Sequence, residues 1–232
     1  MELQEVQALV KEAVRDSDLH PDEIPAIDLY LDQITSLVSE KLKEGSPHFY
    51  DRVLTKTMIN NYSKDGLIAP TKGKKYSKEH IIQMLLVYSM KNTLSIGEIK
   101  RVLQNVYAQE GYSSSMLEAV YTRFLEIKAL EREEMWQTVE NFVERSELDP
   151  ADDADFFTML LGMASMSAYL KSAVQMLLET RYPDLTAERE REEQERREEA
   201  KQQTRAQKVE KKAAKAKKRE VQATPEEAGA KA

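Results

Sequence analysis

Apolar side chains recur at helical spacing along most of this chain, and the breaks between the runs mark its elements. Near the start, Leu3, Val6, Leu9, Val10 and Val14 share one face of a helix over 3–14. "DSDLHPDEIPA", with two prolines, ends that pattern. A second helix is expected from near Pro25 to Gly45, with the stripe Ile27, Leu31, Ile34, Leu37, Val38 and Leu42 and lysines in its last turns. After "SPHFYDRV", Thr55 or Thr57 can N-cap a short helix that Gly66 stops in a left-handed conformation. Leu67, Ile68 and Pro70 then lead into "TKGKKYS", where Gly73 and its flanking lysines predict a tight β-hairpin or wing.

Ser77 opens the next helix, "KEHIIQMLLVYSMKNT", and Ser95 with Glu98 form a capping-box pattern at the head of another. Residues 113–146 read as one long helix or a helix pair, with Met116, Val120, Phe124, Ile127 and Leu130 along one face. "ELDPADDAD" is an acidic break, and Phe156–Tyr182 is the last packed helix, ending before Pro183. From Ala187 onward apolar residues nearly vanish, so this charged tail is a solvated helix held by i,i+4 pairs or is disordered. The expected fold is mainly α, with a short two-stranded wing. It divides into an N-terminal helix and linker (1–24), a winged-helix domain (25–110), a helical dimerisation or partner-binding region (111–182) and the tail (183–232).

Composition narrows the chemistry. Only seven glycines and seven prolines occur in 232 residues, which favours long helices over a many-turned β architecture. The absence of cysteine excludes disulfides, thiol nucleophiles and cysteine–zinc sites, and His20, His48 and His80 have no metal-ligand spacing. No phosphate-binding glycine loop, nucleophile elbow or zinc-protease motif is present, so neither an enzyme nor a cofactor is expected. "DPADDAD" lacks the glycine and terminal glutamate of a calcium loop and reads as a helix cap or acidic break. The acidic start has no apolar core of a secretory signal, and a cytoplasmic protein is expected. Phe156–Leu178 carries a single charge, Lys171, at a place that is costly in lipid. It reads as a buried or partner-facing helix and not as a membrane span.

Charge changes the picture further. The net charge of −7 is segregated: residues 1–50 carry −7, 51–104 carry +6, 105–186 carry −9 and 187–232 carry +3. The basic block coincides with the short helix and wing, and a local field matters more than the global sum within about 10 Å, one Debye length. On the helix over 55–65, Ile59 and Tyr62 point to the core, with Lys56 at the margin of that face. Thr57, Asn60, Asn61 and Lys64 share the opposite face. Asparagine can bond adenine N6 and N7 in the major groove, and threonine can touch a thymine methyl. Lys56, Lys72, Lys74 and Lys75 are then placed to hold phosphates, which set register without reading sequence.

"Y-x-x-x-G-L-I-x-P" from Tyr62 to Pro70, then Tyr76, Ser77 and Glu79, then "LSIGEIKRVL", resembles the winged-helix DNA-binding domain of the MerR family of transcription regulators. Tyr62, Gly66, Leu67, Pro70, Tyr76, Leu94, Ser95, Glu98 and Ile99 sit at matching places, over about residues 50–104. The chain departs from that pattern where Asn60 and Asn61 replace an arginine and a first tyrosine. Its wing is also shorter, and the first helix–turn of the motif is not visible before Leu54. The helix at 27–42 could take that role. "IPAIDLYLDQI", "LTKTMINNY" and "KKYSKEHI" are similar to recurrent blocks of a Gram-positive bacterial family, domain of unknown function 1836, over roughly Pro25–Tyr182. These resemblances imply a DNA-binding transcription regulator that acts as a homodimer on double-stranded DNA. The alternative from another class is a helical adaptor using a repurposed winged helix.

Overall fold

The computed structural model describes residues 1–45, 54–71 and 73–184. The charged tail, the stretch 46–53 and Lys72 lie outside the described residues. Seven α-helices and one two-stranded ladder are described. They are α1 (Leu3–Ala13), β1 (Leu29–Tyr30), α2 (Leu31–Leu42), α3 (Lys56–Lys64), β2 (Lys75–Tyr76), α4 (Lys78–Met90), α5 (Ile96–Tyr107), α6 (Ser114–Arg145) and α7 (Asp153–Arg181), with a short 3-10 turn at Pro21–Glu23. Met1–Pro183 forms one compact unit.

Helix α4 is the centre of this unit. Ile81, Ile82, Met84, Leu85 and Val87 are all buried, so the helix is apolar on several sides and must be covered on several sides. The main core gathers Ile34, Val38 and Leu42 of α2, Ile59 and Tyr62 of α3, Ile99 and Leu103 of α5, and Leu117, Tyr121 and Leu125 of α6 around it. A second, smaller cluster joins Val6 of α1, Val139 and Val143 of α6 and Met159 of α7.

Helix ends follow the local chemistry. Thr55 caps α3 by accepting from the Met58 N–H at 3.2 Å. Ser95 and Glu98 close a reciprocal capping box on α5. Asp152 caps α7 by accepting from the Ala154 and Asp155 N–H groups, which gives the acidic break a structural role.

Four expectations from the sequence are corrected. Helix α2 begins at Leu31 and ends at Leu42, and Ile27 is 70% exposed and outside its stripe. Leu29 and Tyr30 are instead drawn into an antiparallel ladder, Leu29 opposite Tyr76 and Tyr30 opposite Lys75. For the same reason the lysine-rich turn is not a local hairpin: its strand pairs with residues more than forty positions upstream. On α6 the buried stripe is Leu117, Tyr121 and Leu125, one residue on from the expected Met116, Val120 and Phe124, while Val120, Ile127 and Leu130 are exposed. That helix carries two apolar stripes. Packing on α4, with the Tyr121 hydroxyl donating to the Leu19 carbonyl at 2.9 Å, selects between them. On α1 only Val6 is buried, and Leu3 and Leu9 are exposed.

Candidate nucleic-acid interface

Helix α3 divides cleanly into two faces. Ile59 is fully buried and Tyr62 nearly so, while Lys56, Thr57, Asn60, Asn61 and Lys64 are all exposed. The helix stops in a complete Schellman motif. Gly66 takes a φ of +72°, its N–H donates to the Ser63 carbonyl at 3.2 Å, and the Leu67 N–H donates to the Tyr62 carbonyl at 2.9 Å. Leu67 and Tyr62 are both buried, so the turn that ends α3 is also pinned to the core.

The chain then passes to the wing under tight control. The Ala69 N–H donates to Oε1 of Gln83, a buried polar side chain on α4. Gln83 is itself held near Glu79 and Tyr112, whose hydroxyl donates to Glu79 Oε1 at 2.7 Å. Burial by itself would raise the Glu79 carboxyl, but hydrogen bonds from Ser114 and Tyr112 outweigh it and hold the group below its ordinary value. Burial, followed by the Glu79 hydrogen bond, pushes Tyr112 up to about 12.

Gly73 and Lys74 both adopt left-handed backbone, with φ of +63° and +61°, which turns the chain sharply before β2. Lys74 is exposed on this turn. Lys75 lies on β2 with its Nζ 5.2 Å from the centre of the Tyr30 ring, a cation–π contact across the ladder. Tyr76 is buried edge-on to His80, whose Nδ1 accepts from the Ser77 N–H at 3.1 Å and so caps α4 from within.

The eight residues singled out from the sequence therefore have different fates. Thr57, Asn60, Asn61 and Lys64 come together on one exposed helix face. Lys56 is exposed as well but forms an ion pair with Asp32 in the first turn of α2, and Lys75 is tied to Tyr30. Lys74 stands at the turn, and Lys72 lies outside the described residues. Sequence reasoning missed Asp32 and Tyr30, at the start of α2, as the partners of Lys56 on α3 and Lys75 on β2. Both stand about 25 or more positions from those partners, in a run that reads as plain amphipathic helix. The buried Gln83 carried no signal either, since it sits within "HIIQMLL" as one polar residue among apolar ones.

Residues 19–124, which hold most of this geometry, match a family model. Its description is Domain of unknown function (DUF1836). The match supports the likeness seen in the "IPAIDLYLDQI", "LTKTMINNY" and "KKYSKEHI" blocks, and it contains α2, α3, the ladder, α4 and α5 entire. It stops within α6, short of the Tyr182 end of that likeness, so α7 lies outside it. Neither the comparison with curated proteins nor that with solved structures gave a match.

Proposed function

We propose that this protein is a DNA-binding transcription regulator that reads the major groove with α3 and holds phosphates with the lysines of the turn before β2. The observation that carries the reading is the division of α3. One side is buried through Ile59 and Tyr62, and the other presents Thr57, Asn60, Asn61 and Lys64. A helix whose exposed side offers amide and hydroxyl groups backed by cations suits base edges flanked by phosphates. Helix α2 packs against α3 and fills the place of the first helix of the reading unit, and the β1–β2 ladder ties the wing strand to the same point. On this reading the fold of 25–110 is a MerR-like winged helix in a cytoplasmic protein, and the protein works as a two-fold assembly on neighbouring half-sites. The Lys56–Asp32 pair engages one cation and leaves Lys64, Lys72, Lys74 and Lys75 as the main candidates.

The test is recovery of bound fragments from cross-linked cells, followed by a salt titration on a recovered duplex. Enrichment at discrete loci is expected. Replacing Lys72, Lys74 and Lys75 together with Ala should weaken binding to any duplex and flatten its dependence on salt, by roughly one unit of slope for each phosphate that the variant no longer neutralises. Recovery of protein partners alone, with no discrete loci, would support the adaptor reading instead. An unchanged salt slope would remove the wing's assigned role.

A further inference from the structure

Four pieces of the chain meet around a cavity of about 400 Å³. They are the segment 14–19 after α1, the C-terminal half of α2, the C-terminal half of α4 with the turn after it, and the middle of α6. A volume of that order is typical of pockets that take a small organic molecule. The inner wall is apolar: Leu19, Val38, Leu42, Leu85 and Tyr121 border the cavity and are all buried. Buried side chains that face open space forfeit dispersion contacts on that side, and an occupant of the right size restores them.

The frame of the cavity is fixed. The Tyr121 hydroxyl donates to the Leu19 carbonyl at 2.9 Å. The Lys128 ammonium bridges Asp16 and Asp18, and Arg132 Nη1 donates to Asp18 Oδ2 at 2.7 Å. These bonds hold the segment 16–19 against α6 and keep that wall in place.

Charge selects the class of occupant. Among the described residues, three cations and three carboxylates border the cavity, so its lining is balanced. Lys128 and Arg132 are engaged by Asp16 and Asp18, and Lys41 by Glu23 and Glu44. The Asp16 and Asp18 side chains are only 15% and 11% exposed, so an anion that drew Lys128 away would leave buried carboxylates unpaired. A cation that drew either aspartate away would strand Lys128 in the same manner. Glu131 is exposed at the rim, where solvent screens it. The mouth offers neutral groups instead: Ser89, Asn92 and Thr93, all exposed. Ser89 Oγ donates to the Leu85 carbonyl at 2.9 Å, which leaves its lone pairs to accept from a ligand hydroxyl or amide.

We propose that this cavity binds an uncharged small organic molecule, with its apolar body among Val38, Leu85 and Tyr121 and a hydroxyl or amide end at Ser89 and Asn92. Among the described residues none of α3 or β2 borders it, so the inference does not rest on DNA binding.

The experiment titrates the full chain with N-phenyl-1-naphthylamine, an uncharged dye that brightens on leaving water. The dye should bind one to one. As competitors, 2-naphthol should displace it, while 2-naphthoate and 2-naphthylmethylammonium should do so about tenfold less well or worse. With isotope-labelled methionine methyls, 2-naphthol should move the signal of Met135, which borders the cavity. Met159 and Met163, in the separate small cluster, should stay in place. Ser89→Phe fills the mouth from an exposed position and should abolish dye binding with unchanged circular dichroism. Gln137→Phe, exposed elsewhere on α6, should leave it intact. Absence of brightening, or displacement by the charged analogues as effective as by 2-naphthol, would overturn the proposal. So would a shift at Met176, exposed on α7, in place of Met135. Should Ser89→Phe fail to fold, the methionine signals still decide. One-to-one binding in a protein that binds no DNA would remove the proposed function and leave this site standing.

Discussion

Substituting Gly66 by Ala tests whether the end of α3 is set by backbone conformation alone. A Cβ built at Gly66 meets nothing within 4 Å, so no clash enters the cost. What remains is the left-handed backbone at φ +72°, which an L side chain occupies at a penalty of about 1–2 kcal/mol. If the residue relaxes to a right-handed conformation instead, the Leu67 N–H leaves the Tyr62 carbonyl and Leu67 must leave the core, which costs more. The lower figure is therefore the expected one. For a cooperative unit of this size each kcal/mol lowers Tm by roughly 2–4 °C. Gly97 supplies the matched control. It lies in the first turn of α5 in ordinary helical backbone, with only the Ser95 Oγ near an added Cβ, at 4.0 Å. Gly97→Ala should stabilise by up to about 1 kcal/mol, because it removes the helix penalty of glycine without strain. Urea denaturation followed by circular dichroism gives both values under one set of conditions. If Gly66→Ala leaves the midpoint unchanged, or the two substitutions shift it in the same direction, the assignment of Gly66 as a required left-handed stop is wrong.

Two further outcomes follow from the same geometry. Asn60→Ala or Asn61→Ala should relax base preference at particular positions by about 1–3 kcal/mol in a competition assay against mutated duplexes, with Tm nearly unchanged, because both side chains are exposed. Loss of folding in either variant would make that asparagine structural. Glu79 has its folded value held below the ordinary 4.5, so its contribution to stability is present above that value and is lost as pH falls through the folded one. Glu79→Gln should therefore lower stability at neutral pH and flatten its decline below pH 4.5, read as denaturation midpoints across that range. A variant with the wild-type acid profile would refute the role given to the Ser114 and Tyr112 hydrogen bonds.

The sequence by itself determined the elements whose signals are local. Thr55, Gly66, Ser77, Ser95 and Asp152 set the ends of helices through hydrogen bonds that reach three or fewer residues, or through backbone that favours glycine, and each acts in place. The division of α3 into core and exposed faces was legible for the same reason, since a helix period converts spacing directly into direction. No helix among the described residues is long and apolar enough to cross a membrane, in line with the reading of Phe156–Leu178. Tertiary structure decided what depends on distant partners. The choice between the two stripes of α6 was made by α4 and by Leu19, about a hundred positions upstream. The strand opposite Lys75 and Tyr76 lies in what reads as helix, because two residues of extended backbone carry almost no periodic signal and gain their hydrogen bonds only when the ladder closes. Asp32 and Tyr30 changed the standing of Lys56 and Lys75 in the same way, since a charge or a ring acts on whatever the fold brings near it. The apolar character of α7 is legible in the sequence, but that Phe156, Met159 and Met163 pack on Val6, Val139 and Val143 while Leu170 and Leu177 are exposed among the described residues is a property of the packed chain, because burial belongs to the pair of surfaces and not to either one.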